Sequence, residues 1–122
     1  MIKGIGVDIE EIKRFRKLKP KVLKRIIKRV LTRREIEYCY KFRDPYPHLV
    51  ARFCAKEALL KALNLKNFKG LKWKDIEVVG KPPYMNVKGG VKEVLEKKGV
   101  KRIHLSLSHS KECAIAFVIL ED

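Results

Sequence analysis

Apolar and polar positions alternate with period two across IKGIGVDI, residues 2–9, which predicts a strand. Lys3, Ile5, Val7 and Ile9 share one face; Ile2, Gly4, Gly6 and Asp8 share the other. Glycines on a strand face leave room for another backbone or a ligand, and Asp8 ends that open face. The period then lengthens to that of a helix, with apolar residues from Ile12 to Leu31 on one side and bases on the other, interrupted near Pro20. Thr32 and Glu35 form a capping-box pattern that starts a further helix through about Phe42. Asp44, Pro45 and Pro47 mark a turn before a long helix containing VARFCAKEALLKAL, residues 50–63. There Leu49, Val50, Phe53, Cys54, Leu60 and Leu63 gather on one apolar arc, and Glu57 projects into its middle.

Beyond Asn64, KNFKG reads as a loop ending at Gly70. WKDIEVVG and PYMNV read as two strands joined around Gly80, Lys81 and Pro82, and residues 89–98 as a short helix stopped by Gly99. RIHLSLSH and ECAIAFVIL read as strands separated by a tight polar turn at Ser110 and Lys111. Short turns between strands favour antiparallel pairing, so the expected class is α+β: a small antiparallel sheet packed with a long central helix and basic N-terminal helices. A chain of 122 residues suits one domain spanning 1–122.

Composition narrows this picture. Hydrophobic residues make up 46% and charged ones 36%, a globular balance. The longest apolar run, CAIAFVIL, is too short to span a bilayer, and Gly4, Gly6 and Asp8 break any apolar leader, so a cytoplasmic protein is expected. Cys39, Cys54 and Cys113 lie in apolar patterns without CxxC spacing and read as buried free thiols. His48, His104 and His109 are too scattered to suggest zinc. Charge changes the picture most: 30 Lys and Arg against 14 Asp and Glu give a formal +16. Twelve bases and no acid fall between Lys13 and Arg34. One-signed clustering of this kind points to an anionic partner: nucleic acid, a membrane surface, a phosphorylated ligand or an acidic protein.

Glu57 poses the chemical question. A carboxylate on an apolar face neutralises, finds a cation or binds a metal. Lys61, one turn on, offers a local i, i+4 ion pair. Asp8 offers another outcome: if the fold brings the two carboxylates together, a shared proton or a cation must relieve their repulsion. Mg²⁺ suits hard oxygen ligands and completes its shell with water and phosphate. Glu10, on the same strand face as Asp8, could add a third ligand, while Arg52, Lys56 and Lys61 could meet phosphate.

The chain resembles the holo-acyl-carrier-protein synthase family of 4′-phosphopantetheinyl transferases along its whole length. GIGVDIEEIKR at 4–14, LTRRE at 31–35, RFCAKEALLKAL at 52–63, WKDIEV at 73–78, GKP at 80–82 and LSLSHSKECAIAFVI at 105–119 carry the resemblance. It implies transfer of 4′-phosphopantetheine from coenzyme A to a serine of apo acyl carrier protein, releasing adenosine 3′,5′-bisphosphate, in support of fatty acid biosynthesis. By motif match, Asp8 and Glu57 would hold Mg²⁺, with Glu10 a candidate third ligand. Lys61 would neutralise the departing phosphate, and Glu57 or a metal-bound water would deprotonate the serine. Arg52, Lys56, Lys61 and His109 would bind coenzyme A, His109 from a neighbouring subunit of a homotrimer with interfacial sites. Arg14, Lys24, Arg25 and Arg29 would meet the acidic carrier. A nucleic-acid-binding module is the competing reading of the charge, although aromatic residues, 8% of the chain, rarely stand among the basic groups. A basic helix on a membrane surface is a third; the resemblance implies neither nucleic acid nor membrane as partner.

Overall fold

The computed structural model describes residues 1–65 and 70–122, so the loop expected at KNFKG lies outside the described residues except for Gly70. The α+β expectation holds. Strand β1 (Ile2–Glu11) leads into α1 (Ile12–Arg16), α2 (Pro20–Val30), α3 (Arg33–Cys39) and the long α4 (Tyr46–Ala62). A 3-10 turn at Trp73–Asp75 precedes the hairpin β2 (Ile76–Val79) and β3 (Tyr84–Val87), then α5 (Gly89–Lys97), β4 (Arg102–His109) and β5 (Cys113–Glu121). The larger sheet has the order β1-β5-β4, antiparallel throughout.

Local chemistry sets several boundaries. Pro20 opens α2, where its missing N–H leaves no bond unmade. Thr32 Oγ1 accepts from Glu35 N and Glu35 returns a bond to Thr32 N, the full capping box, but α3 ends at Cys39 rather than near Phe42. At the start of α4, Tyr46 N donates to Asp44 Oδ1 at 3.2 Å, and Asp44 also holds Arg16 of α1.

Helix α4 crosses one face of the larger sheet and corrects the one-sided reading of its sequence. Ala51, Ala55, Ala58 and Ala62 are buried, as are Leu49, Val50, Cys54, Leu59 and Leu60. Core thus covers most of its circumference, because small alanines let the sheet approach on one side while α1, α3 and β2 cover others; the face of Phe53, Glu57 and Lys61, spaced one turn apart, stays open. The opposite face of the sheet is open: Ile5 is 64% exposed, with Val7, Ile9, Ile115 and Phe117 also exposed. Cys39 and Cys54 are buried free thiols as expected, whereas Cys113 is half-buried. Among the described residues, no helix is long and apolar enough to cross a membrane.

Candidate functional site

Two glycines bring the two acidic segments together. A Cβ on Gly6 would stand 2.0 Å from the Ala58 carbonyl oxygen, and one on Gly4 would stand 2.1 Å from that of Ala62. Only glycine lets the α4 backbone lie so close to β1. Asp8, two residues beyond Gly6 on the same inward face, consequently meets the middle of α4. Lys61 Nζ donates to Asp8 Oδ1 at 3.0 Å and to the Val7 carbonyl at 3.1 Å. The ion pair of Lys61 is therefore with Asp8, which replaces the local Glu57–Lys61 pair that helical spacing suggested. Asp8 is 6% exposed, and its Oδ2 is buried without a hydrogen-bond partner.

Glu10 and Glu57 complete an acidic cluster. Burial, then the Asp8 charge, raise the Glu10 carboxyl to about 7; Glu57 adds to the rise and Arg14 opposes it. Burial first and Asp8 second also raise Glu57, against the pull of Lys61. Both carboxyls are raised first by burial and then by the neighbouring Asp8 charge, and a cation bound among them would oppose both effects. Together with the orphaned Asp8 Oδ2, this donor set of hard oxygens fits a divalent ion. Among the described residues no three acidic, histidine or cysteine groups enclose a metal by themselves. Two carboxylates suffice for Mg²⁺ when water and substrate oxygens complete the shell.

The cluster opens into a cleft of about 440 Å³ lined by Glu10, Arg14, Phe15, Leu18, Ile26, Phe53 and Glu57. Its charged members are Glu10, Arg14 and Glu57, and apolar side chains of α1, the α1–α2 link, α2 and α4 form the rest. Arg14 approaches Glu10 at 3.6 Å and is otherwise exposed. Lys24, Arg25 and Arg29 lie exposed on the outer side of α2.

Arg52 lies elsewhere. Five residues before Glu57, it is turned about 140° around the helix and lines a separate cleft with Arg34, Tyr38, Lys41 and Val78. Its guanidinium stacks on Tyr38 at 4.3 Å and reaches the His48 carbonyl at 3.4 Å, while the buried Nε has no partner. His109 belongs to this second region, with its ring 5.5 Å from that of His48, which stacks on Phe42. Burial, the nearby His109 and Arg52 hold His48 below the usual histidine range. Within one chain Arg52 thus lines a different cleft from the acidic cluster, while His109 stands across β5 from Glu10, both paired with Ala114.

Lys56 departs from its expected place at a phosphate. Its ammonium is fully buried, 2.7 Å from Glu35 Oε1 and 2.7 Å from the Val30 carbonyl, leaving no face for a ligand. Burial lowers its pKa and the Glu35 charge opposes that effect. Sequence reading gave Glu35 only a capping role. The residue has a second task because it also meets Lys56, which follows it by 21 residues in the chain.

A family model described as 4′-phosphopantetheinyl transferase superfamily matches residues 4–118. The holo-acyl-carrier-protein synthase of Syntrophus aciditrophicus (strain SB) is 44% identical over 124 residues, covering 99% of this chain and 97% of that protein. That of Halothermothrix orenii is 43% identical over 126 residues, covering 100% and 99%. The holo-acyl-carrier-protein synthase crystal structure from Neisseria meningitidis aligns over the full length of both chains with a TM-score of 0.88 and 30% identity. The Bacillus anthracis enzyme in complex with coenzyme A (3′,5′-ADP) aligns with a TM-score of 0.78 and 33% identity, over 98% of this chain and 96% of that one.

Proposed function

The chain belongs to the 4′-phosphopantetheinyl transferase superfamily, a family of enzymes, and from that premise we propose that it is a Mg²⁺-dependent holo-acyl-carrier-protein synthase. It moves 4′-phosphopantetheine from coenzyme A to a serine of apo acyl carrier protein and supports fatty acid biosynthesis in the cytoplasm. Residues 1–122 act as one transferase domain. The observation that carries this reading is the acidic cluster, where the buried and unpartnered Asp8 Oδ2 faces a helix bearing Glu57 and Lys61.

Asp8 and Glu57 would hold Mg²⁺, with Glu10 nearby as a candidate third ligand; the bound ion would supply positive charge to the diphosphate of coenzyme A. In the reaction, the serine Oγ forms a bond to the phosphorus that carries pantetheine. The bond from that phosphorus to the bridging oxygen breaks, and adenosine 3′,5′-bisphosphate leaves with the electron pair. Glu57, or a water that it activates, would accept the serine proton. Lys61 is half exposed, so its ammonium can exchange Asp8 for the developing phosphate charge. No protein nucleophile is required, since phosphoryl transfer asks chiefly for position and charge.

The separate cleft of Arg52 supports sites shared between copies. In a homotrimer, the open apolar face of Ile5, Val7, Ile9, Ile115 and Phe117 would be covered, and Arg52 and His109 of one copy would meet the nucleotide end of coenzyme A beside the next copy's carboxylates. Arg14, Lys24, Arg25 and Arg29 suit an acidic helical carrier, whose opposite charge speeds and orients encounter. The test is mass spectrometry of an apo carrier incubated with the protein, coenzyme A and Mg²⁺. A gain of one phosphopantetheine is expected; an unchanged carrier mass would overturn the reading.

A further inference from the structure

The placement of Glu57 and Lys61 depends on how α4 is rotated, and the polar group that fixes this rotation lies outside the acidic cluster. Glu35 Oε1 accepts from Lys56 Nζ at 2.7 Å and from Thr32 N at 2.8 Å, and Oε2 accepts from Val78 N at 2.8 Å. Lys56 Nζ donates further to the Val30 carbonyl at 2.7 Å and the Trp73 carbonyl at 3.4 Å. Two side chains therefore join the end of α2, the start of α3, the middle of α4, the 3-10 turn and β2. Both are fully buried.

Stability alone is a weak reason for such a pair, because apolar residues of matching volume commonly serve as well. Direction is what apolar packing lacks. The Lys56 ammonium must face its acceptors at one rotation of α4, and Glu57 follows at about 100° and Lys61 at about 140° around the axis. A rotation of about 10° would carry a carboxylate some 6 Å off that axis by about 1 Å, and a misplacement of about 1 Å can lower a rate about 100-fold. We propose that Glu35 and Lys56 are positioning residues: their buried ion pair sets the rotation of α4 and so holds Glu57 and Lys61 against Asp8. The same bonds fix the end of α2, whose outer face bears Lys24, Arg25 and Arg29. The inference rests on the transfer activity proposed above.

The test replaces both partners, so that no lone charge is buried, in Glu35→Gln/Lys56→Met and, as a second background, Glu35→Gln/Lys56→Gln. Each is compared with the wild type for turnover at saturating coenzyme A and carrier, KM for coenzyme A, thermal midpoint and affinity for Mn²⁺. Because the amide introduced by Glu35→Gln accepts from only one of the Thr32 and Val78 N–H groups, midpoints should fall by no more than about 15 °C with the fold retained, and KM should change by less than about threefold while kcat falls about 100-fold. Mn²⁺ binding, read without turnover by electron paramagnetic resonance, should weaken about tenfold. A folded variant with wild-type kcat and Mn²⁺ affinity would overturn the inference. So would a rise in KM that accounts for the lost activity, which would return Lys56 to the coenzyme A site. Unfolding of both variants at 25 °C would also overturn it, by making the pair a support for the fold as a whole. A wild-type protein that leaves the carrier unmodified would instead sink the transferase reading.

Discussion

Lys56 and Lys61 stand five residues apart on α4, and each meets a carboxylate at 3.0 Å or less. Their surroundings differ completely. Lys56 and Glu35 have no exposed surface, whereas the Lys61 side chain is 54% exposed beside a buried Asp8. A pair sealed on all sides cannot exchange partners without leaving a buried charge alone. A pair with one member in water can, because solvent carries part of the charge during the exchange. The same two residue types thus make a fixed support at one point of the helix and a ligand-ready cation at another.

The largest expected effect lies at the open end. Asp8→Ala and Glu57→Ala should each lower turnover about 1000-fold while circular dichroism and thermal midpoint stay near those of the wild type. Near-normal turnover in either variant would remove that residue from the site. The two lysines should then separate by assay. Lys56→Ala should lower the free energy of unfolding in urea by about 3–5 kcal/mol, because it leaves the Glu35 charge buried without its cation. Lys61→Ala should lower it by less, about 1–3 kcal/mol, because Asp8 stays buried while water can take the place of a half-exposed ammonium, yet still reduce turnover. Equal losses of stability would erase the contrast.

A smaller effect probes the close approach that builds the open site. Gly6→Ala places a methyl group against the Ala58 carbonyl and should destabilise by about 1–3 kcal/mol, with the larger consequence in turnover as α4 moves from Asp8. A Gly6→Ala protein as active as the wild type would show that the approach has slack.

This approach was legible in the sequence, because the period-two pattern put Gly4, Gly6 and Asp8 on one face before any partner was known. The capping box was legible for the same reason: all its atoms belong to neighbouring residues. Lys56 was not. Helical spacing compares a residue only with its own helix, and Lys56 takes its meaning from Glu35, Val30 and Trp73 on other elements. Periodicity also hid how far burial extends around α4, since its alanines count little in an apolar arc and Arg52 and Lys56 look like a solvated face. The partner of Lys61 was missed likewise: the nearest carboxylate in sequence is Glu57, but the strand supplies Asp8.

The smallest expected effect is one of pH on the metal-free protein. Glu10, raised to about 7 in the fold from an ordinary 4.5, binds its proton more tightly folded than unfolded. Its contribution to stability is full below about 4.5 and is lost as pH rises through about 7; Glu57 shifts in the same direction. The thermal midpoint without metal should therefore fall between pH 5 and pH 8. Glu10→Gln should flatten that slope, and Mg²⁺ should restore stability most at pH 8. A midpoint indifferent to Mg²⁺ at pH 8 would argue against a cation among these carboxylates.

The most direct measurement is the anomalous diffraction of crystals grown with coenzyme A and Mn²⁺. A manganese peak bounded by the carboxylates of Asp8 and Glu57, with the coenzyme diphosphate against it and Lys61 turned toward a phosphate oxygen, is the expected result. Coenzyme A bound in the crystal with its diphosphate away from both carboxylates, and no manganese between them, would contradict it.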